Sequence, residues 1–374
     1  MKGHIPALTG LRCVAVMMVV FGHASTTVEG GFTGWLYPLR FLSDAGLGVQ
    51  IFFVLSGFLI TNILHSEWEA TGRIDLLQFY IRRTLRIWPA FYAFIIVLGL
   101  LSHWQLIDIA WQQFTFAALH MWNYSEALGL GPVSAQHLDG AWYLGHFWSL
   151  SLEEQFYWFW PPLLIFLLHR RSTKLLAGLI LFVPIVRVAS YYLAPNLRGQ
   201  LGMMLHTGVD SILVGCYVSL NKSRIKAFLE SSRYSAAMLT AGCLLVVFVT
   251  PVLAGLLRGY WSTYGTTLTA AIVGLIIMGI ASMEQFWLTR LLKLRPFVFI
   301  GTISYSLYLW QQLFLSEHSP VTLGFPLNIL QAIVAATLSY WLIETPFLKL
   351  KDARKRTPGL VAPVQMRSDV STRK

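Results

Sequence analysis

The chain has 374 residues, 56% of them hydrophobic and only 12% charged, with a formal net charge of +11. A soluble domain carries about twice that charged fraction, which excludes a water-soluble enzyme, a disordered chain and a disulfide-knit secreted module and points to a polytopic membrane protein. The three cysteines, Cys13, Cys216 and Cys243, lie in apolar stretches without a CxxC or a His/Cys cluster, so neither a disulfide framework nor a metal site is expected.

Apolar segments of bilayer-spanning length, roughly 17–25 residues, fall near 6–25, 46–64, 88–103, 155–169, 174–193, 203–220, 235–255, 264–282, 298–316 and 325–348. They predict an all-α polytopic integral membrane protein of about ten transmembrane helices. The first segment holds an arginine and runs into a glycine-containing loop without a small-residue cleavage site, so it is expected to be a retained helix and not a signal peptide. From Lys2 to the tail residues Lys349–Lys374, 23 of the 28 basic residues fall on one side of this topology. Only Arg40, Arg198 and Arg258 fall on the other, and Arg12 and Arg187 lie inside spans. The asymmetry places the N- and C-termini in the cytoplasm. It also assigns the basic charge to anionic lipid headgroups and not to nucleic acid.

In the first span, Arg12 and His23 stand eleven residues apart. At 100° and 1.5 Å per residue they share one face, roughly 16 Å apart along the axis. An intramembrane arginine costs roughly 2.5–3.5 kcal/mol, so it must face a partner or a water-filled cavity. A histidine on such a cavity is a natural general base. The second span opens GLGVQIFFVLSG, where Gly46, Gly48, Gly57 and Ser56 read as a close helix-packing surface. Arg82, Arg83 and Arg86 precede Trp88 and Pro89 at the mouth of the third span. Arg83 and Arg86 share a helix face, and guanidinium groups grip phosphates with paired hydrogen bonds. The same three arginines also fit an ordinary cytoplasmic basic excess.

The connection 104–153 has no Lys or Arg but carries Asp108, Glu126, Asp139 and Glu153 among five tryptophans. It reads either as an aromatic interface belt or as a platform on which sugars stack, with an interfacial amphipathic helix near 109–122. Ser151 and Glu154 form a capping-box pattern at the start of the fourth span. Glu153 is left over as a carboxylate able to orient or charge-balance a histidine. Ser304, Tyr305 and Glu344 are further polar candidates in late apolar segments. Glu344 needs a partner there, with Arg12, Arg83 and Arg86 available. Residues 351–374 read as a polar, disordered cytoplasmic tail behind a 1–350 membrane domain. No internal repeat is visible.

The Arg12–His23 pair, GVQIFFVLSGFLI, the Arg83–Arg86 pair with Ile87 and Pro89, WSLSLEEQFY, ISYSLYLW and the Glu344–Pro346 motif occur in that order. In these the sequence resembles the membrane-bound acyltransferase-3 family, from about residue 5 to 350. The family includes O-acetyltransferases of bacterial surface polysaccharides, lipopolysaccharide and nodulation factors. The resemblance implies ten transmembrane helices in a bacterial inner membrane. It also implies acetyl-CoA or another acyl-CoA as co-substrate with no permanently bound cofactor, a carbohydrate or small-molecule hydroxyl as acceptor, and membrane lipids as surroundings. Some members carry an extra extracytoplasmic hydrolase-like domain after the last helix; with 351–374 remaining, this chain is expected to be without one.

In the expected mechanism Arg83 and Arg86, helped by Arg82, hold the CoA phosphates. Arg12 lines the path or stabilises developing charge, His23 deprotonates the acceptor, and Glu153 balances the histidinium. The family usually places His where this chain has Gln311, so no proton transfer is expected there and His23 remains the base. Direct transfer and an acyl-enzyme both remain open. A multi-pass transporter or flippase of an envelope metabolite or glycan precursor is the alternative, since buried Arg, His and Glu also suit a proton-coupled exporter.

Overall fold

The computed structural model describes residues 5–356 except 126, 129–137, 258 and 317–318. Lys2, Glu126, Arg258 and the tail beyond 356 lie outside the described residues. Among the described residues all regular structure is helical.

Helix α1 (Pro6–Ala24) starts on a proline whose missing N–H would have no partner there anyway. Asp44 caps α2 (Ala45–Thr71) by accepting from the Leu47 N–H at 2.8 Å, and Gly72 ends it in the left-handed conformation that glycine adopts without strain. Asp75 caps α3 (Leu76–His103) by accepting from the Gln78 N–H. The basic pattern at 82–86 is therefore inside this helix, not ahead of it. The short helix α4 (Trp111–Ala118) occupies the stretch expected to hold an interfacial helix, and α5 (Leu138–Tyr143) follows.

Helix α6 (Phe147–Arg170) begins four residues before Ser151. The expected capping box is not formed: the Ser149 hydroxyl donates to the His146 carbonyl, and Ser151 and Glu154 become interior residues of the helix. Then come α7 (Lys174–Leu193), α8 (Leu205–Gly208), α9 (Asp210–Leu220), α10 (Lys222–Ser231), α11 (Ser235–Leu244), α12 (Thr250–Leu256), α13 (Gly265–Ser282) and α14 (Trp287–Leu292). The chain continues with α15 (Arg295–Thr302), α16 (Ser304–Phe314), α17 (Leu327–Ser339) and α18 (Thr345–Arg356). The tail expected to be disordered thus starts as helix.

Among the described residues seven helices are long and apolar enough to cross a membrane, so the chain is a multi-pass membrane protein. The ten expected spans are not matched one for one. The segment at 155–169 belongs to α6, where Glu153 and Glu154 dilute the apolar character. That at 203–220 is split into α8 and the short α9, and that at 298–316 is broken at Ile303 between α15 and α16.

The core of the bundle is the crossing of α2 on α9. A Cβ added to Gly57 would fall on the Ile212 carbonyl, and one added to Gly215 on the Val54 carbonyl. Gly48 approaches Ala15 of α1 in the same way, whereas Gly46 meets only the Asp44 side chain. Gly57→Ala or Gly215→Ala should therefore destabilise the fold by about 1–3 kcal/mol through overpacking. The measurement is the temperature at which detergent-solubilised protein loses its monodisperse size-exclusion peak. An unchanged temperature would show that the helices separate there without penalty.

Arg187 of α7 is the second arginine inside the bundle. It is 1% exposed and lies 2.7 Å from Asp210 of α9. It also donates to the carbonyls of Thr207, Trp261 and Thr263, while Thr267 of α13 donates to Asp210. A buried charge is tolerated when paired and hydrogen-bonded, and this pair ties α7, α9 and α13 together. Gln50 of α2 joins the same region through Ser211 and the Thr266 carbonyl.

Candidate active site

Two cavities enter the bundle beside α1. Arg12 lines the first, with Ser56, Arg83, Arg86, Ser149, Glu153, Glu154, Ser304, Tyr305 and Glu344. His23 lines the second, with Gln113, Trp122, His146, Trp148 and Gln312. Val49 of α2 and Tyr308 of α16 line both, so the cavities adjoin at these two side chains. The eleven-residue spacing on α1 places Arg12 in one cavity and His23 in the other.

In the arginine cavity, Arg83 is held by carboxylates. It donates to Glu153 at 2.9 Å, approaches Glu154 at 3.8 Å and lies 3.6 Å over the Tyr157 ring. Glu153 also accepts from Ser56 at 2.6 Å and from the Tyr157 hydroxyl. Its expected partnership with His23 is not formed: successive polar positions on α6 turn Glu153 toward α2 and α3, into the other cavity. Arg82, 100° around α3 from Arg83, points away from both cavities and pairs with Glu67 at 3.4 Å. Arg86 is exposed at the mouth, and Arg12 is half-buried deeper in. Neither makes a hydrogen bond or ion pair among the described residues. Unpaired guanidinium groups of this kind attract anions, and here two of them open into one cavity that is also lined by Glu153, Glu154 and Glu344.

Glu344 lies in a π-helical turn, Tyr340–Glu344, just before Pro346. A proline there removes a backbone donor from the preceding turn, which widens. The turn carries Glu344 to the cavity wall, where it accepts from the buried Ser306 hydroxyl. It forms no ion pair with Arg12, Arg83 or Arg86. Ser304 is buried at the start of α16. Tyr305 donates to the Ile87 carbonyl at 2.9 Å and so pins α16 to α3.

In the histidine cavity, His23 Nδ1 lies 3.0 Å from Gln311 Oε1, and the Trp142 ring meets the imidazole edge-on at 5.6 Å. His23 Nε2 has no partner among the described residues. His146, in the turn between α5 and α6, is 4% exposed with neither ring nitrogen hydrogen-bonded. Burial, and then the nearby His23, push it down to about 3, so it is a neutral ring with an unused N–H. The Tyr308 hydroxyl, at the junction, lies 2.5 Å from the Ser149 hydroxyl and 3.2 Å from the His146 carbonyl.

Ser56, Tyr157, His146, Tyr308 and Gln311 were not singled out by sequence as working residues of these cavities. Ser56 was hidden in a small-residue pattern, and His146 stands directly before the WSLSLEEQ run that drew attention to Glu153.

A family profile described as an acyltransferase domain matches residues 5–344. The peptidoglycan O-acetyltransferase OatA of Listeria monocytogenes is 31% identical over 381 residues, covering 93% of this chain and 56% of that protein. The O-acetyltransferase OatA of Staphylococcus aureus (strain NCTC 8325) is 28% identical over 373 residues, covering 92% of this chain and 57% of that protein. The chain thus spans a little over half the length of these relatives. No solved structure matches it.

Proposed function

The chain belongs to the acyltransferase-3 family of membrane proteins, and from that premise we propose that it is an O-acyltransferase of the bacterial inner membrane. It takes an acyl group, acetyl in the favoured case, from cytosolic acyl-CoA. It delivers that group to a hydroxyl of an extracytoplasmic carbohydrate such as peptidoglycan or another surface polysaccharide. Both termini lie in the cytoplasm, so the arginine cavity opens inward and the histidine cavity outward.

One observation carries the reading. A cavity with two unpaired guanidinium groups adjoins a cavity with an unpaired imidazole nitrogen, and they meet at Val49 and Tyr308. The arginine cavity suits the phosphates of a CoA ester. With Arg83 committed to Glu153, the phosphate contacts fall to Arg12 and Arg86 in place of the Arg82–Arg83–Arg86 set. Glu153, Ser56 and Tyr157 hold Arg83 in position as a wall of the site. His23 Nε2 takes the proton of the acceptor hydroxyl as its oxygen attacks the thioester carbon. The C–O bond forms, the C–S bond breaks, and the imidazolium returns the proton to the departing sulfur. The neutral N–H of His146 is placed to donate to the carbonyl oxygen as charge develops on it.

Acetyl-CoA added to purified wild-type protein should raise its melting temperature. Arg12→Ala or Arg86→Ala should weaken that binding about 10- to 100-fold, the loss of one charge-assisted contact of roughly 1.5–3 kcal/mol. A folded wild-type protein that millimolar acetyl-CoA does not stabilise would sink the proposal and favour a transporter, which needs no thioester.

A further inference from the structure

We propose that Gln311 is a positioning residue that locks the neutral His23 imidazole with its proton on Nδ1, leaving Nε2 as the basic nitrogen in the outward cavity. What that base does rests on the transferase reading; the tautomer itself does not.

The inference starts from a backbone oxygen. The Trp142 carbonyl can only accept, and a Gln312 side-chain nitrogen donates to it at 2.9 Å. The Trp142 indole N–H donates to the Gln312 carbonyl at 2.9 Å, closing a ring of two bonds between α5 and α16. With its NH2 committed, Gln312 presents Oε1 to Gln311, 3.0 Å away. That oxygen also can only accept, so Gln311 presents its NH2 to it and turns Oε1 toward His23 Nδ1. An amide oxygen offers no proton, so Nδ1 must carry one. In a neutral ring the lone pair then lies on Nε2. Each amide is fixed by the next, and the last by the main chain.

Both amides are buried, Gln311 completely and Gln312 to 3% exposure. Reversing either would set oxygen against oxygen and strand a buried polar group. The other charged and titratable groups near His23 do not compete for Nδ1. Asp44 caps α2, and Asp139 of α5 accepts from the Asp108 N–H. Arg40, in the turn packed on α1, is exposed. Tyr308 is committed to Ser149 and the His146 carbonyl, and His146 has no hydrogen bond to His23. A residue that departs from the family pattern thus supplies the orientation that a carboxylate gives the histidine in a catalytic triad.

The test is solid-state NMR of the full chain, 15N-labelled at histidine, in lipid bilayers at a pH where the ring is neutral. The His23 signals are assigned by their absence from His23→Asn. A proton on Nδ1 is expected; a proton on Nε2 in the wild type overturns the proposal, with no substrate required. In Gln311→Leu the Nε2-protonated form should appear, and kcat should fall at least about tenfold, as when a histidine loses its orienting partner, with acetyl-CoA affinity unchanged. Gln311→Glu, as a neutral buried carboxyl, can donate its O–H to Gln312 Oε1 and keep its carbonyl oxygen at Nδ1, and should retain the wild-type tautomer and most of the activity. Equal impairment of the two variants would mean that Gln311 only fills space and would refute the positioning role. If the wild type shows the expected tautomer but no transfer, it is the transferase reading that fails.

Discussion

Replacing His23 with alanine should lower acyl transfer 10²- to 10⁴-fold, the usual contribution of a general base, and leave acetyl-CoA binding intact. His23 and His146 are the imidazoles lining the histidine cavity among the described residues. His146 is too weak a base for the task, since burial and His23 push it down to about 3. Among the described residues no carboxylate lines that cavity, and Glu153 is turned into the other one. No second base is therefore placed to take over. The measurement is base-labile label transferred from acetyl-CoA to envelope glycans in membranes with matched levels of wild-type and variant protein. Transfer that survives the substitution would remove His23 from proton transfer. Loss of transfer together with loss of acetyl-CoA stabilisation would mean that the variant is misfolded or that the two cavities are not independent.

Val49→Trp should reduce transfer to background by a different route. Val49 is 8% exposed and lines both cavities. A tryptophan there fills the neck through which, in the proposed reaction, the thioester meets the acceptor. The Arg12 and Arg86 guanidinium groups are untouched, so acetyl-CoA should still raise the melting temperature, with Kd within about threefold of wild type. A Val49→Phe variant, smaller than tryptophan, should give partial activity and serves as a folding control. Binding without transfer is an outcome that neither a broken phosphate site nor a missing base produces alone. Full activity in Val49→Trp would show that the two cavities do not communicate at this point.

The sequence announced the buried polar residues because each is expensive in an apolar helix and must face water or a partner. Arg12, Arg83, Arg86, Glu153, Ser304, Tyr305 and Glu344 do line one cavity, and His23 lines its neighbour. Their partners were less visible, since pairing is set by helix rotation and not by composition. Glu153 meets Arg83 and Ser56 because α6 starts earlier than its apparent cap. Arg82 could have been set aside from periodicity alone, one position off the Arg83–Arg86 face. Gln311 read as the loss of a histidine, because a single strand of sequence cannot show the His23 and Gln312 that flank it in space. Helix number suffered in the same way: interruptions such as that at Ile303 leave an apolar run intact in sequence while breaking the helix.

The meeting of two cavities at Val49 and Tyr308 also decides the electrical character of a turnover. With one cavity open to each face, as proposed, the voltage of an energised membrane no longer falls over roughly 30 Å of hydrocarbon but over the septum between the cavities. A unit charge moved through that septum would exchange about 2.3 kcal/mol with the field for every 100 mV. In the proposed transfer the acyl group crosses it uncharged, the phosphates stay on the arginine side, and the proton lent to His23 returns to sulfur at the septum itself. The cycle then carries no net charge across the bilayer. On that proposal the transfer rate should be the same whether the membrane is polarised or run down.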